Sequence, residues 1–301
     1  MSYSTFIIRL PRLLASFAAY TRLYVRLVKF EHTVFALPFA YSGAFLAHQR
    51  IPGFWRMFWI TVVMVAARSL AMALNRLLDE RIDALNPRTS GRELPAGLLR
   101  RSEVWVFCVV SLAVLVFATF QLPVITRCLW PVVVAPFVVY PFTKRVTWLC
   151  HLFLGCTIGL GPVGAWVAVT GTVDWRAFLL GGAVALWIAG FDVIYAGLDV
   201  DFDRSRHIHS IPADLGLEAA VWSTRLLHLG AVGLLAATGV ATGRSVVYFI
   251  GVGVCAAILG YENYITRAGD LRRVDLAFLT MNGILSVVFF VFTLASVVVE
   301  K

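Results

Sequence analysis

The stretch FWRMFWITVVMVAARSLAMALNRLLDERID, residues 54–83, decides the fold class. It begins with a mostly apolar run of about 20 residues, the length that a helix needs to cross the hydrocarbon core of a membrane. It ends in a segment where Asn75, Asp79 and Asp83 recur at intervals of four. That spacing places the three side chains on one helix face, with a drift of about 40° per step. The stretch therefore predicts a membrane-spanning helix with an acidic face at its end.

The composition of the whole chain agrees with a membrane protein. Of its 301 residues, 60% are hydrophobic and 14% are charged, whereas soluble domains are roughly 45–50% apolar and about 25% charged. This composition disfavours a soluble enzyme, a disordered chain and a secreted disulfide scaffold. The five cysteines lie in apolar stretches and form no C-x-x-C pair, so neither a disulfide framework nor a zinc site is indicated.

Apolar runs separated by polar, Gly- or Pro-containing breaks predict nine membrane spans. The runs are 33–49, 54–78, 104–122, 127–143, 148–170, 176–198, 219–241, 245–264 and 275–299. The fourth contains three prolines, which a membrane helix tolerates when neighbours satisfy the freed carbonyl groups. We expect an all-α integral membrane fold, in which residues 1–29 form a basic interfacial segment and residues 30–301 form a single membrane domain.

The basic residues predict the orientation of these spans. Nineteen of the 26 Lys and Arg residues fall on the side of the N-terminus and six on the other side. Because cytoplasmic loops are enriched in Lys and Arg, the N-terminus is expected in the cytoplasm and the C-terminus outside. Loop topology also accounts for the net charge of +9, so no nucleic-acid partner is inferred. Most of the 17 acids fall on the same cytoplasmic side, which needs a separate explanation.

A second acidic motif stands in register with the first. The segment Asp192-Val-Ile-Tyr195-Ala-Gly-Leu-Asp199-Val-Asp-Phe-Asp203 ends the sixth predicted span. Its Tyr195, Asp199 and Asp203 lie 120 positions after the three residues of the first motif. Each motif ends the second helix of a four-span block and is followed by a polar loop. This register predicts two four-helix blocks plus a ninth helix, with both acidic faces at the same membrane boundary.

Carboxylate and amide oxygens at helical spacing suit a hard cation such as Mg²⁺, which takes its remaining ligands from water and phosphate oxygens. Arg88, Arg92, Lys144 and Arg145 would then contact the phosphate charge. Two acidic clusters among basic loops predict a substrate with a diphosphate head and a hydrocarbon tail. Acids that only cap helices and pair with neighbouring arginines would explain a single Asp, but they explain two motifs in register poorly.

Four segments resemble motifs of the UbiA-type intramembrane prenyltransferase family. They are Asn75-x3-Asp79-x3-Asp83, Asp192-x6-Asp199-x3-Asp203, the loop Arg88-Thr89-x2-Arg92-x2-Pro95-x-Gly97, and Tyr140-Pro-Phe-Thr-Lys144-Arg145. The resemblance runs from about Lys29 to the last span. It departs from the family pattern at His207, where the position after the second motif is usually Gly; His207 and nearby His209 are interpreted as solvent-facing rather than as metal ligands.

The resemblance implies a nine-helix bundle around a central cavity open to lipid, in a bacterial cytoplasmic (inner) membrane, with the active site near the cytoplasmic face. It implies Mg²⁺-dependent transfer of a polyprenyl group from its diphosphate to an aromatic acceptor, with no obligate protein partner. The implied metal-binding residues are Asn75, Asp79, Asp83, Asp192, Asp199 and Asp203. The implied diphosphate-binding residues are Arg88, Arg92, Lys144, Arg145 and Tyr195.

The acceptor site is less clearly marked. Arg68 lies within a span, seven residues before the first motif, and a buried Arg there has either a functional or a structural partner. Lys144, Arg145 and His32 are the other candidates to contact the acceptor, and His32 could instead cap its helix. The sequence is similar to a bacterial subgroup labelled 4-hydroxybenzoate polyprenyltransferase-like. Its motifs do not separate 4-hydroxybenzoate from 1,4-dihydroxy-6-naphthoate, because both carry a carboxylate and a hydroxyl.

Three alternatives remain at this stage. A UbiA-type transferase could use another acceptor, such as haem or chlorophyllide. A secondary transporter would also use intramembrane carboxylates, but it would place them near mid-bilayer in broken helices, whereas these acids lie at one interface. A phosphatidyltransferase-like lipid enzyme is disfavoured because the D-x2-D-G-x2-A-R pattern is absent.

Overall fold

The computed structural model describes residues 20–29, 33–266 and 281–299, without the side chains of residues 33–35. Across these residues the chain is helical and contains no strand, which confirms the all-α prediction. The helices are α1 (Thr33–His48), α2 (Phe54–Leu85), α3 (Arg101–Thr119), α4 (Val124–Thr143), α5 (Cys150–Thr170), α6 (Trp175–Ala196), the short α7 (Val200–Ser205) and α8 (Ile211–Asp214), α9 (Leu217–Ala241), α10 (Val246–Ile265) and α11 (Asn282–Val299).

Eight spans in the described residues are long and apolar enough to cross a membrane. They are α2, α3, α4, α5, the segment Trp175–Ser205 that contains α6, α9, α10 and α11, so the chain is a multi-span membrane protein. Helix α1 has 16 residues and would reach about 24 Å, short of the ~30 Å hydrocarbon core. The basic segment predicted for residues 1–29 and the start of the ninth predicted span lie mostly outside the described residues.

Helix α2 is longer than the predicted span, which was expected to end at residue 78. It continues without a break to Leu85 and contains 32 residues, which corresponds to about 48 Å. Its last two turns carry the first acidic motif. The helix continues there, as the four-residue spacing of the motif predicts, because this segment is rich in good helix formers such as Leu, Arg and Glu. Basic side chains from other elements hold the carboxylates of Asp79 and Asp83.

Helix α6, in contrast, does not carry the whole second motif. It ends at Ala196, and a 3-10 turn over Gly197–Asp199 leads into α7. Glycine is a poor helix former, which favours a break at this point. As a result Asp192 lies in α6, Asp199 in the turn and Asp203 in α7. The proline-containing fourth span, by comparison, is a single helix.

Two apolar cores flank a cavity. One core joins α2, α3 and α4, and the other joins α5, α6, α9, α10 and α11. Helix α1 adds Phe39 and Leu46 to this second core and packs against α5 and α11. The helices therefore do not separate into the two four-helix blocks that the repeat predicts. Gly43 permits the close approach of α1 to α5, because a Cβ at this position would lie 2.5 Å from the carbonyl oxygen of Pro162.

The contact between α5 and α6 gives a stability prediction. A Cβ at Gly155 would overlap the carbonyl oxygen of Ala185, and backbone cannot move aside as a flexible side chain can. We expect Gly155→Ala to lower the free energy of unfolding by about 1–3 kcal/mol, measured as a lower Tm of the purified protein in detergent. Gly253→Ala in α10 is the matched control, because a Cβ there meets nothing within 4 Å. An unchanged Tm for Gly155→Ala would contradict the packing described.

Candidate active site

The two acidic motifs meet at one end of the bundle. The loop that follows α2 contacts the residues that follow α6: the side-chain amide of Asn86 donates to Asp199 Oδ1 at 2.9 Å. From the same loop, Arg88 Nη1 donates to the hydroxyl of Tyr195 at 2.9 Å. Residues more than 100 positions apart are thereby brought together, as the register of the motifs predicts.

Asp79 is the most enclosed acid of the site, with 2% of the residue exposed. Lys144 Nζ donates to its Oδ2 at 2.5 Å, and Asn75 Nδ2 donates to the same oxygen at 3.1 Å. Arg145 Nη2 lies 3.4 Å from Oδ1 and also donates to the carbonyl of Leu78 at 2.8 Å. Two cations at the end of α4 thus hold one carboxylate at the end of α2.

Asp83 lies one helical turn further along α2 and is also buried. Arg92 Nη1 donates to both of its carboxylate oxygens at 2.7 Å. Arg76 Nη1 lies 3.9 Å from Oδ2, and the hydroxyl of Thr89 donates to the backbone carbonyl of Asp83 at 3.0 Å. The loop after the first motif therefore folds back onto that motif.

Arg88 connects this loop with the second motif. Its Nε donates to Asp199 Oδ1 at 2.8 Å and its Nη2 donates to Oδ2. The guanidinium also lies over the ring of Tyr195, 5.0 Å from the centroid. Burial lowers the pKa of Arg88, but its hydrogen bonds and ion pair with Asp199 outweigh burial and raise the pKa above the usual value. Arg88 is therefore a permanent cation at this point.

The remaining acids of the second motif have different surroundings. Asp203 accepts a hydrogen bond from the hydroxyl of Ser210 at 3.3 Å. Asp192 lies deeper in α6, and its Oδ2 is 2.7 Å from Nδ1 of His151, a buried residue at the start of α5. The second motif is thus divided. Asp199 and Asp203 follow the end of α6, whereas Asp192 lies within α6 and faces a histidine.

A cavity of about 330 Å³ lies between α2, α3, α4, α5 and α6. Its wall is mostly apolar, and its charged and polar lining comes chiefly from the end where the motifs meet. These lining residues include Lys29, Arg68, Asn75, Arg76, Arg92, Tyr140, Asp192 and Tyr195. Among the described residues that line the cavity, Asp192 is the one carboxylate; the other acids of the motifs are not part of the wall.

The predicted metal ligands do not form a preformed coordination site made of protein side chains alone. Within the described part of the chain, no three His, Cys, Asp or Glu side chains are grouped so that they could hold a metal ion. Mg²⁺, however, keeps several waters and is commonly bound by one or two carboxylates together with substrate phosphates. Asp79 and Asn75, which share a hydrogen bond at the polar end of the cavity, fit such a site.

The motifs do not mark three polar side chains that the structure brings into the site: Asn86, His151 and Ser210. The signal for His151 is a histidine at the edge of an apolar run, where polar groups need a partner. Asn86 and Ser210 lie in the polar loops after the two motifs, where single residues give no distinguishing signal. Arg68, for which the sequence left a functional and a structural partner open, lines the cavity, whereas His32 lies outside the described residues.

The loop after the second motif contains His207 and His209, and both have a local structural explanation. His207 is exposed and has a φ of 53°, in the left-handed region that favours glycine. His207 therefore adopts a backbone conformation that glycine reaches without steric cost. Nδ1 of His209 lies 2.9 Å from Asp214 Oδ2, and the backbone N–H of His209 donates to the carbonyl of Lys144 at 2.7 Å.

Known proteins with similar sequences match most of the chain. The UbiA prenyltransferase family matches residues 36–294. A 4-hydroxybenzoate octaprenyltransferase from Xanthomonas oryzae pv. oryzae (strain PXO99A) is 31% identical over 247 residues, which are 79% of this chain and 80% of the relative. The protein of the same name from Aliivibrio fischeri (strain MJ11) is 27% identical over 245 residues, covering 81% of this chain and 85% of the relative.

Solved structures match the fold over nearly the whole chain. The apo structure of a UbiA homolog from Aeropyrum pernix K1 is 30% identical, with a TM-score of 0.77, and covers 90% of this chain and 98% of that one. A UbiA homolog from Archaeoglobus fulgidus bound to DMAPP and Mg²⁺ is 20% identical, with a TM-score of 0.73, and covers 92% and 99%.

Proposed function

The chain belongs to the UbiA prenyltransferase family, and on that premise we propose that it transfers a polyprenyl group from its diphosphate to the ring of a hydroxylated aromatic carboxylate. The observation that carries this proposal is the meeting of two acidic motifs and four basic side chains at the polar end of an apolar cavity. Such a site is complementary to a substrate with an anionic head and a hydrocarbon chain.

The proposed diphosphate site is formed by basic side chains that the structure already clusters. Lys144, Arg145 and Arg92 contact the acids at the end of α2, and Arg88 contacts Asp199. Cations within hydrogen-bonding distance of carboxylates can turn their remaining N–H groups to phosphate oxygens. Tyr195, whose hydroxyl accepts from Arg88, completes this proposed set.

Five of the six metal ligands that the sequence predicts are proposed to hold the metal: Asn75, Asp79, Asp83, Asp199 and Asp203. The sixth, Asp192, faces His151 instead. A divalent cation held there would neutralise the negative charge that grows on the diphosphate as its bond to the prenyl carbon breaks. A homolog with the same fold that binds DMAPP and Mg²⁺ supports a divalent cation as the cofactor. The chain itself contributes fixed positive charge next to the leaving group, and its apolar cavity wall excludes water from the reacting carbon.

We also propose the topology that the basic residues predict. In this arrangement α1 also crosses the membrane and brings the number of spans to nine. The N-terminus is cytoplasmic and the C-terminus is outside. The site opens near the cytoplasmic face of a bacterial inner membrane. The proposed acceptor is 4-hydroxybenzoate, supported by the names of the relatives from Xanthomonas and Aliivibrio. The second candidate is 1,4-dihydroxy-6-naphthoate, which presents the same pair of groups.

The test is an assay on membranes that contain the full chain. A polyprenyl diphosphate is supplied with each aromatic acid in turn, with and without Mg²⁺, and product is identified by mass. We expect a Mg²⁺-dependent product with one acceptor. Absence of any prenylated aromatic product, in a preparation where the protein is folded, would overturn the proposal and direct the assay to acceptors without a benzoate-like ring.

Arg68 provides a test of the acceptor site. It lines the cavity about two helical turns before Asn75 and Arg76, where a guanidinium suits a bound carboxylate. We expect Arg68→Leu to raise the acceptor KM by about 10-fold or more and to leave the KM of the prenyl diphosphate unchanged. Arg68→Lys, which keeps the charge, is the matched variant and should lose less. An acceptor KM that Arg68→Leu does not change would remove Arg68 from the site.

A further inference from the structure

Asp192 and His151 form a pair that the diphosphate and metal assignments do not explain. Asp192 lines the cavity, and its Oδ2 lies 2.7 Å from His151 Nδ1. His151 is 2% exposed and lies behind the carboxylate, on α5. The other acids of the two motifs do not line the cavity and are held by basic side chains, an amide or a hydroxyl.

The second nitrogen of His151 fixes the direction of this hydrogen bond. The backbone N–H of Ile211, at the start of α8, donates to His151 Nε2 at 3.3 Å. Nε2 therefore acts as an acceptor, and Nδ1 carries the proton that it donates to Asp192. This arrangement leaves Asp192 as a pure hydrogen-bond acceptor, with Oδ2 fixed by the imidazole and capacity for a further donor.

The cavity needs such an acceptor for an aromatic substrate that carries a hydroxyl. The other charged groups of the described wall are the cations Lys29, Arg68, Arg76 and Arg92, which suit a carboxylate or a diphosphate. A phenolic O–H binds best to an anionic acceptor, because hydrogen bonds to charged groups are roughly twice as strong as those between neutral groups. Asp192 is the carboxylate in that position.

We propose that Asp192 accepts a hydrogen bond from the hydroxyl group of the aromatic acceptor, and that His151 is a positioning residue that holds the carboxylate toward the cavity. This inference rests on the proposed function and deepens it. It gives Asp192 a role in acceptor recognition, in place of the role in metal binding that the second motif alone predicts. The two roles have different consequences for binding.

The test compares two ligands that differ by one hydroxyl. Equilibrium binding of 4-hydroxybenzoate and of benzoate is measured on the purified full-length protein in detergent. We expect the wild-type protein to bind 4-hydroxybenzoate about 10-fold or more tightly than benzoate. In Asp192→Leu, which removes the acceptor and keeps a similar shape, this ratio should fall to near one. Asp201→Leu, at an exposed site between Asp199 and Asp203, is the control and should keep the wild-type ratio.

His151 is tested by loss and rescue. His151→Phe keeps a ring but removes both hydrogen bonds, and we expect it to reduce the hydroxyl-dependent ratio about 10-fold and to raise the acceptor KM more than it lowers kcat. His151→Gln can still donate to Asp192 and should restore most of the ratio. His207→Gln, at an exposed histidine, controls for the substitution. If His151→Phe does not fold, Asp192→Leu and His151→Gln still decide the question.

Each other outcome overturns the inference in a recognisable way. If Asp192→Leu keeps the ratio and instead raises the Mg²⁺ concentration needed for half-maximal activity, Asp192 is a metal ligand. A wild-type ratio near one, in a protein that does prenylate an aromatic acid, shows that the hydroxyl is not recognised, while the proposed function stands. If the wild-type protein prenylates no aromatic acid, the proposed function fails first and this inference fails with it.

Discussion

Replacement of Asp79 by Asn is expected to lower kcat for prenyl transfer by about 100- to 1000-fold, the loss typical of removing one preorganised electrostatic group from an active site. Asp79 is buried, and Lys144 Nζ, Arg145 Nη2 and Asn75 Nδ2 all approach its two oxygens. The substitution keeps the shape of the side chain but removes a negative charge. The proposed metal site loses a ligand, and the two cations lose the group that positions them.

The measurement is single-turnover prenyl transfer at saturating acceptor, together with the Mg²⁺ concentration for half-maximal rate. The matched control is Glu80→Gln, which removes a negative charge from the neighbouring residue. Glu80 pairs with Arg101 at 3.3 Å on the half-exposed side of α2 and should keep nearly full activity. A folded Asp79→Asn protein with full turnover would contradict the assignment of this carboxylate to the metal and diphosphate site.

Much of this arrangement could be predicted because the physical signals are local and periodic. The apolar run in residues 54–83 predicts a helix, and α2 follows it. The four-residue spacing of Asn75 and Asp79 predicts a shared face, and their side chains form a hydrogen bond at 3.1 Å. The offset of 120 predicts that the two motifs lie at the same boundary, and the loop after the first motif contacts the second, where Asn86 donates to Asp199.

The specific pairs could not be predicted, because they join side chains that are far apart in the chain. Lys144 lies 65 residues from Asp79, and His151 lies 41 residues from Asp192. Net charge and motif spacing indicate which residues belong to one region, but not which cation contacts which carboxylate. The end of α6 at Ala196 could not be predicted either, because a 3-10 turn over Gly197–Asp199 interrupts the helical spacing of the second motif.

The packing of α1 also depends on contacts that are distant in the chain, here between whole helices. The repeat predicts that α1 belongs to the first four-helix block, but Phe39 and Leu46 join the core formed by the later helices. Gly43 permits a close approach of α1 to α5, which a hydropathy pattern does not record. A sequence repeat thus predicts where matching motifs lie along the chain, whereas the assignment of helices to cores depends on which faces can approach closely.

The second prediction with a large expected effect on activity concerns Arg88. Its guanidinium donates to both oxygens of Asp199 and to the hydroxyl of Tyr195, so one planar group connects the first polar loop with the second motif. A lysine cannot reproduce three donors in this fixed geometry. We therefore expect Arg88→Lys to lower kcat/KM for the prenyl diphosphate by about 100-fold, nearly as much as Arg88→Gln, although the charge is kept.

Substitution of Asp199, the partner of Arg88, tests whether Arg88 binds the diphosphate or only connects the loop with the second motif. If Arg88 and Asp199 act as one unit, the Arg88→Gln and Asp199→Asn double variant should lose little more activity than either single variant. The readout is the KM of the prenyl diphosphate alongside the Tm in detergent, with Arg81→Gln at an exposed position of α2 as the control. A lower Tm with an unchanged KM and kcat would mean that Arg88 only ties the loop to the second motif. A raised KM at an unchanged Tm is the expected result, because the guanidinium then contributes to substrate binding, directly or through Asp199, and not to the stability of the fold.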